Sequence, residues 1–170
     1  QMVDLSVLYA EDNNFSDISV LGNLNGLKEI NLSNNKIQDL SGFSNVAEGR
    51  SYLWLADFSR NEVTSLQGIE TLNNLRILAL SQNSVSDLSP LNQMSELSTL
   101  LIDFNQVSLL SPIKDLENLR GLYANNNLLA EDPSVIEMNQ LAELYIYDNN
   151  LTDNRKVEIQ DALSSVRIEF

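Results

Sequence analysis

The stretch Leu75-Arg76-Ile77-Leu78-Ala79-Leu80-Ser81-Gln82-Asn83-Ser84-Val85-Ser86-Asp87-Leu88-Ser89-Pro90-Leu91 decides how this chain folds. Its pattern, L-x-x-L-x-L-x-x-N-x-V-x-x-L-S-P-L, returns 22 residues later as Leu97 to Ile113, with Asn105 where Asn83 stood. In L-x-x-L-x-L the last two leucines alternate with Ala79, which is the period of a strand with one buried face. Asn83 ends that strand. Its amide carries donors and an acceptor, so one side chain can serve a tight turn and the neighbouring coil together. Asp87 and Ser89 are turn-capping residues, and the fixed φ of Pro90 suits a short 3-10 turn.

Working outward, the asparagine column runs Asn13, Asn35, Asn61, Asn83, Asn105, Asn127 and Asn149, at intervals of 22, 26, 22, 22, 22 and 22. Eight residues before each asparagine stands a leucine: Leu5, Leu27, Leu53, Leu75, Leu97, Leu119 and Leu141. A repeat this short cannot bury its apolar side alone, so neighbouring coils must supply the core. The spacing predicts stacked coils with strands inside, 3-10 or extended segments outside, and the asparagines in a ladder. A 22-residue coil is too short for a full outer helix and its turns. The reading is one repeat domain over 1–170, with seven asparagine-bearing coils to about residue 152.

The 26-residue interval places an insertion at Ala47-Glu48-Gly49-Arg50-Ser51-Tyr52, read as a tolerated loop bulging from the convex or edge side, with register restored at Leu53. Late in the chain Glu131-Asp132-Pro133-Ser134 replaces the Asp-Leu-Ser-Pro-Leu run. Residues 153–163 read as a short cap helix with Asp153 as N-cap and Val157, Ile159 or Gln160, and Leu163 facing the core. Leu163, Val166 and Ile168 then keep strand register once more. At the other end Leu5-Ser6-Val7-Leu8 opens a coil at once, with no polar capping segment before it. The expectation is a trimmed or processed part of a longer protein.

These repeats resemble the leucine-rich-repeat family, specifically its 22-residue class, and look most like bacterial internalin-type repeats. The regular coils Leu72–Leu91 and Met94–Ile113 carry the resemblance best, with Asp39-Leu40-Ser41-Gly42-Phe43 and Asp17-Ile18-Ser19-Val20-Leu21 as close variants. The resemblance implies an α/β architecture: a right-handed curved solenoid, a parallel sheet on its concave face, 3-10 or extended segments on the convex side, and a short C-terminal cap helix. Similar repeats occur in eukaryotic phosphatase-regulating proteins. Internalins typically add an N-terminal helical cap and an immunoglobulin-like module, and neither is found in these 170 residues.

Composition narrows the chemistry. Ten Lys and Arg against 24 Asp and Glu leave a formal charge of −14, which argues against nucleic acid and anionic membranes as partners. A basic or apolar partner surface fits better, and so does charge serving solubility alone. There is no histidine and no cysteine, so the usual triads, thiolates, disulfides and His-ligated metals are out of reach. No glycine-rich phosphate loop is present. The reading is no enzyme, no cofactor and no metal. Glu11–Asp17 and Tyr147–Asp153 hold oxygen ligands at close spacing but lack the order of a calcium loop. No apolar run reaches a membrane span, and residues 1–20 show no signal-peptide pattern.

The residues the repeat leaves free are the functional candidates. Side chains between the strand leucines point away from the core. Leu55, Ile77 and Leu101, with Phe104, Tyr123, Tyr145 and Tyr147, are expected to form an exposed apolar and aromatic strip on the concave face, with Trp54 beside it. Glu11, Asp57, Asp103 and Glu143 give it a negative rim. Such strips mark interaction surfaces, and aromatics dominate their energetics. The sequence-based expectation is a monomeric, non-catalytic module of a bacterial surface or secreted protein, engaged in adhesion or host interaction. It binds a protein ligand through Trp54, Leu55, Asp57, Ile77, Leu101, Asp103, Phe104, Tyr123, Tyr145 and Tyr147. The alternatives are a structural spacer between other domains and an intracellular, cytoplasmic regulator docking on an enzyme such as a phosphatase.

Overall fold

The structure is a computed structural model that describes residues 5–24, 26–46 and 51–170. Among the described residues eight strands form one parallel sheet in strict sequence order. They are β1 (Val7–Tyr9), β2 (Glu29–Asn31), β3 (Leu55–Asp57), β4 (Ile77–Ala79), β5 (Thr99–Leu101), β6 (Gly121–Tyr123), β7 (Glu143–Tyr145) and β8 (Arg167–Glu169). Each is only three residues long, because the chain must turn at both ends of every coil. Register is uniform: Leu78 faces Ala56 on one side and Leu100 on the other. Parallel strands joined by crossovers coil right-handed.

Among the described residues six 3-10 turns stand opposite the strands, at Ser19–Asn23, Ser41–Phe43, Ile69–Thr71, Ser89–Leu91, Ser111–Ile113 and Pro133–Glu137. Strands pack about 4.8 Å apart, closer than these bulkier turns can, so the stack curves with its sheet on the concave side. The turns at Ser19, Ser41 and Ser89 each open on an aspartate two residues ahead. The Asp87 Oδ1 accepts the Ser89 N–H at 2.8 Å, and Asp17 does the same for Ser19. Proline enters at Pro90, Pro112 and Pro133, where its ring fits the first turn. In the second coil glycine takes that place for a different reason: a Cβ on Gly42 would lie 2.7 Å from the Ile18 carbonyl oxygen.

The core is one continuous column of side chains between sheet and turns. Leu75, Leu78, Leu80, Val85 and Leu91 of the fourth coil are fully buried, as are Leu97, Leu100, Ile102, Val107 and Ile113 of the next. Phe43 and Phe58 meet edge-to-face where the longer interval crosses the core. Of the proposed insertion, residues 47–50 lie outside the described residues. Ser51 is buried and its carbonyl accepts the Asn74 amide, and Leu55 pairs with Glu29, so register is restored at Leu53 as expected.

The asparagine ladder is the second source of cohesion. The Asn83 Oδ1 accepts the Val63 N–H of the preceding coil at 2.8 Å, while its Nδ2 donates to the Leu80 and Phe58 carbonyls, each at 2.9 Å. The same arrangement recurs at Asn35, Asn61, Asn105 and Asn149, and at Asn127 the amide again joins the preceding coil to its own. The residue before each asparagine adopts a left-handed conformation: Asp12, Asn34, Arg60, Gln82, Phe104, Asn126 and Asp148, with φ from 50 to 59°.

The C-terminal helix α1 (Asp153–Ala162) lies over the last outer turn. Two expectations about it are corrected. Its N-cap is Thr152, whose hydroxyl accepts the Arg155 N–H at 3.2 Å, so Asp153 is the first helical residue. Val157 points to solvent at 60% exposure, and the core contact falls to Ile159 and Leu163. The sequence pattern misled here because Arg155 takes the buried position that an apolar residue was expected to fill. Arg155 donates to the Asp132 carbonyl at 2.6 Å and pairs with Glu158 at 2.7 Å. Asp132 is itself buried, capping Ser134 and accepting the Leu110 N–H. The irregular Glu131–Ser134 segment is thus a polar joint between the last outer turn and the cap helix.

Candidate concave binding face

The outward positions of the strands assemble into rows that run across the sheet. One row reads Val7, Glu29, Leu55, Ile77, Thr99, Gly121, Glu143 and Arg167, and the next Tyr9, Asn31, Asp57, Ala79, Leu101, Tyr123, Tyr145 and Glu169. A third, just beyond the strands, holds Glu11, Ser33, Ser59, Ser81, Asp103, Asn125 and Tyr147. Leu55, Ile77, Leu101, Tyr123 and Tyr145 are half-buried by their row neighbours, less open than a bare strip, while Phe104 and Tyr147 are exposed at 52% and 39%.

The aromatic end is built in layers. The Tyr123 and Tyr145 rings stack at 4.8 Å with planes 9° apart, because register places them side by side on adjacent strands. Tyr123 has room to lie flat because Gly121 has no side chain: a Cβ there would come 3.3 Å from its Cε2. The Tyr123 hydroxyl donates to Glu143 at 2.8 Å, which raises its pKa above the usual phenol value. On the far side the Arg167 guanidinium sits 5.5 Å from the Tyr145 ring centre, between Glu143 at 3.9 Å and Glu169 at 2.9 Å. At the opposite end of the sheet Tyr9 donates to Glu29 at 3.0 Å.

The third row is locked by short-range bonds. Asp103 accepts both the Asn125 N–H at 2.9 Å and the Asn125 side-chain amide at 2.7 Å, and Asn125 in turn accepts the Tyr147 N–H at 3.0 Å. Asp57 accepts the Ser59 N–H at 2.8 Å. Phe104 leaves from the left-handed corner after β5 rather than from the strand itself. Trp54 stands apart from the stack, at the edge where the strands begin, in an open recess shared with Tyr52, Asn74 and Arg76.

Leu101, Asp103, Phe104, Tyr123, Tyr145 and Tyr147 thus lie on or just after strands β5 to β7, and Trp54, Leu55, Asp57 and Ile77 on or just before β3 and β4, which adjoin them in the same sheet. Sequence reasoning missed Arg167 and Gly121. Arg167 could have been found by extending the strand register through Val166 and Ile168, which leaves it facing outward. Among the described residues there is no grouping of acidic side chains suited to a metal ion, and no helix long and apolar enough to cross a membrane.

Stacked 22-residue coils, a parallel sheet in sequence order, outer 3-10 turns and an asparagine ladder define a leucine-rich-repeat solenoid. A family model described as leucine rich repeats (2 copies) matches residues 4–45. No curated protein sequence matches the chain. Among solved structures it superposes on an internalin (inlF) of Listeria monocytogenes with a TM-score of 0.88 at 25% identity, covering 99% of this chain and 51% of that one. It superposes on internalin C2 of the same species with a TM-score of 0.87 at 27% identity, covering 99% and 72%. A leucine-rich-repeat protein of Leptospira interrogans gives 0.90 at 24% identity, covering 100% and 44%, which is a likeness of fold. The chain has the leucine-rich-repeat solenoid fold and is similar to the internalins in its 22-residue repeats. It spans about half the length of the inlF chain. The fold and these relatives point to a protein–protein interaction module.

Proposed function

We propose that this chain is a non-catalytic module that binds a protein ligand on its concave face, in a bacterial surface or secreted protein with a role in adhesion or host contact. The observation that carries this reading is the aromatic end of the sheet. Tyr123, Tyr145, Tyr147, Phe104 and Leu101 gather on the open side, where a solenoid has no need of apolar side chains for its own core. Stacked tyrosines supply large, rigid contact area at little entropic cost, the usual chemistry of interface anchors. The internalin relatives support the surface assignment.

The test is affinity for a partner captured by crosslinking to the wild-type chain. Tyr123→Ala and Tyr145→Ala are each expected to weaken binding by roughly tenfold or more while the melting curve stays cooperative. Unchanged affinity in both variants removes the concave face from the function and leaves the spacer reading in its place.

A further inference from the structure

The concave face is unevenly charged, and the imbalance says what chemistry its partner carries. Its outward rows hold the carboxylates of Glu11, Glu29, Asp57, Asp103, Glu143 and Glu169, against one base among the described residues, Arg167. That one base is already engaged, on the Tyr145 ring and between Glu143 and Glu169. The hydrogen bonds that hold Asp57 and Asp103 come from neutral donors, Ser59 and Asn125, so they fix the carboxylates in place without cancelling their charge.

Arg167 also shows what this surface does with a cation. Its guanidinium lies against a tyrosine face with carboxylates on either side, a pairing favoured by ring quadrupole and charge together. The exposed part of the same platform repeats those ingredients without a cation. Asp103 is joined to Asn125, which in turn bonds the third-row Tyr147, and it precedes the corner Phe104, with half-buried Leu101 two residues back on β5.

Resting on the concave-face reading above, we propose that the ligand presents a cationic, otherwise apolar segment of polypeptide to β5–β7, with an arginine or lysine entering between Asp103 and the Tyr123–Tyr145 stack. Apolar neighbours in that segment cover Leu101 and Phe104. A long cationic side chain lays its methylene stem on such surface while its head reaches the carboxylate.

The probes are two synthetic peptides of equal length, one alternating leucine with arginine and the other leucine with glutamate, titrated into the full chain and followed by heteronuclear NMR and calorimetry. The arginine peptide is expected to shift the amides of residues 99–105, 121–125 and 143–147. Its affinity should fall at least tenfold between about 50 and about 500 mM salt. Asp103→Asn with Glu143→Gln, which keep the hydrogen-bond acceptors, should weaken it at least fivefold. Asp115→Asn with Glu117→Gln, away from the sheet, should leave it unchanged. The proposal is overturned if the arginine peptide shifts none of these amides, or if the two variant pairs weaken it equally. Equal shifts by the glutamate peptide at the same amides would also overturn it, while leaving the concave face itself as the binding surface.

Discussion

The Asn105 side-chain oxygen accepts the backbone N–H of Val85, one coil earlier, at 2.8 Å. Its amide nitrogen meanwhile donates to the Leu80 and Ile102 carbonyls at 2.9 and 3.1 Å. With Asn105 only 8% exposed, removing it leaves the buried Val85 N–H without a partner, while the Leu80 and Ile102 carbonyls keep the amides of Asn83 and Asn127. Asn105→Ala is expected to cost about 2 kcal/mol, since an orphaned buried N–H carries a penalty of roughly 1–3 kcal/mol. Asn13 is the contrast. It is exposed and bonds only within its own turn, to the Ala10 and Glu11 carbonyls. Asn13→Ala should cost less than about 1 kcal/mol. Denaturant melts of the two variants check the difference, and equal losses would mean that the ladder is not what ties the coils.

The outer turns carry a pH dependence. The Ser89 hydroxyl and N–H hold the Asp87 carboxylate below its ordinary value of 3.8. A lowered folded value means that this carboxylate stabilises the fold above the unfolded pKa. The contribution is then lost as pH falls through the folded value. Asp87→Ala should therefore melt below wild type at pH 7, by roughly 0.5–1 kcal/mol for a lost cap. The gap should close at about pH 2–3, where both chains have a neutral turn. Thermal melts across that range test it, and a gap independent of pH would assign the effect to packing instead.

Most of the scaffold was legible because it is periodic. The Leu and Asn columns placed every strand, the restart at Leu53 and the outer turns, since each residue type was tied to one position in the coil. Legibility failed where one position could be filled in several ways. The left-handed corner accepts Asp, Asn, Arg, Gln and Phe alike, so composition gave no sign of it. The cap helix failed at Val157 because a buried arginine, held by the Asp132 carbonyl and Glu158, took the core position. At the candidate site the outward columns were readable, but the layered aromatic end was not. It depends on a ring stack, on the space left by Gly121, and on an arginine brought in by β8.

Gly121 controls the stack without touching any ligand. A Cβ there would crowd the Tyr123 ring at 3.3 Å and reach Thr99 Cγ2 at 3.7 Å. Alanine needs a shift of only a few tenths of an ångström. Valine adds two methyl groups and must push the ring away from Tyr145. Valine also suits a strand better than glycine, by up to roughly 1 kcal/mol, so stability should hold. Gly121→Val is expected to change the near-ultraviolet circular dichroism of the tyrosines and to weaken ligand binding, with Gly121→Ala in between. Unaltered tyrosine dichroism in the valine variant would show that the stack does not depend on the glycine.

Phe104 joins strain to exposure. It occupies the left-handed corner at φ 56°, where a side chain costs about 1–2 kcal/mol and a bulky one has no local bond to offset it. The equivalent corner in coil two is Asn34, whose side chain bonds to Asp12. Phe104 instead spreads a half-exposed ring beside Asp103. Strain kept at an exposed aromatic is what a binding position looks like. Phe104→Asn should therefore raise stability by about 0.5–1 kcal/mol and lower ligand affinity in the same protein. Paired melting and titration measurements decide it. A variant that is more stable and binds equally well would make Phe104 a tolerated flaw of the corner, and would move the aromatic anchor wholly to the Tyr123–Tyr145 stack.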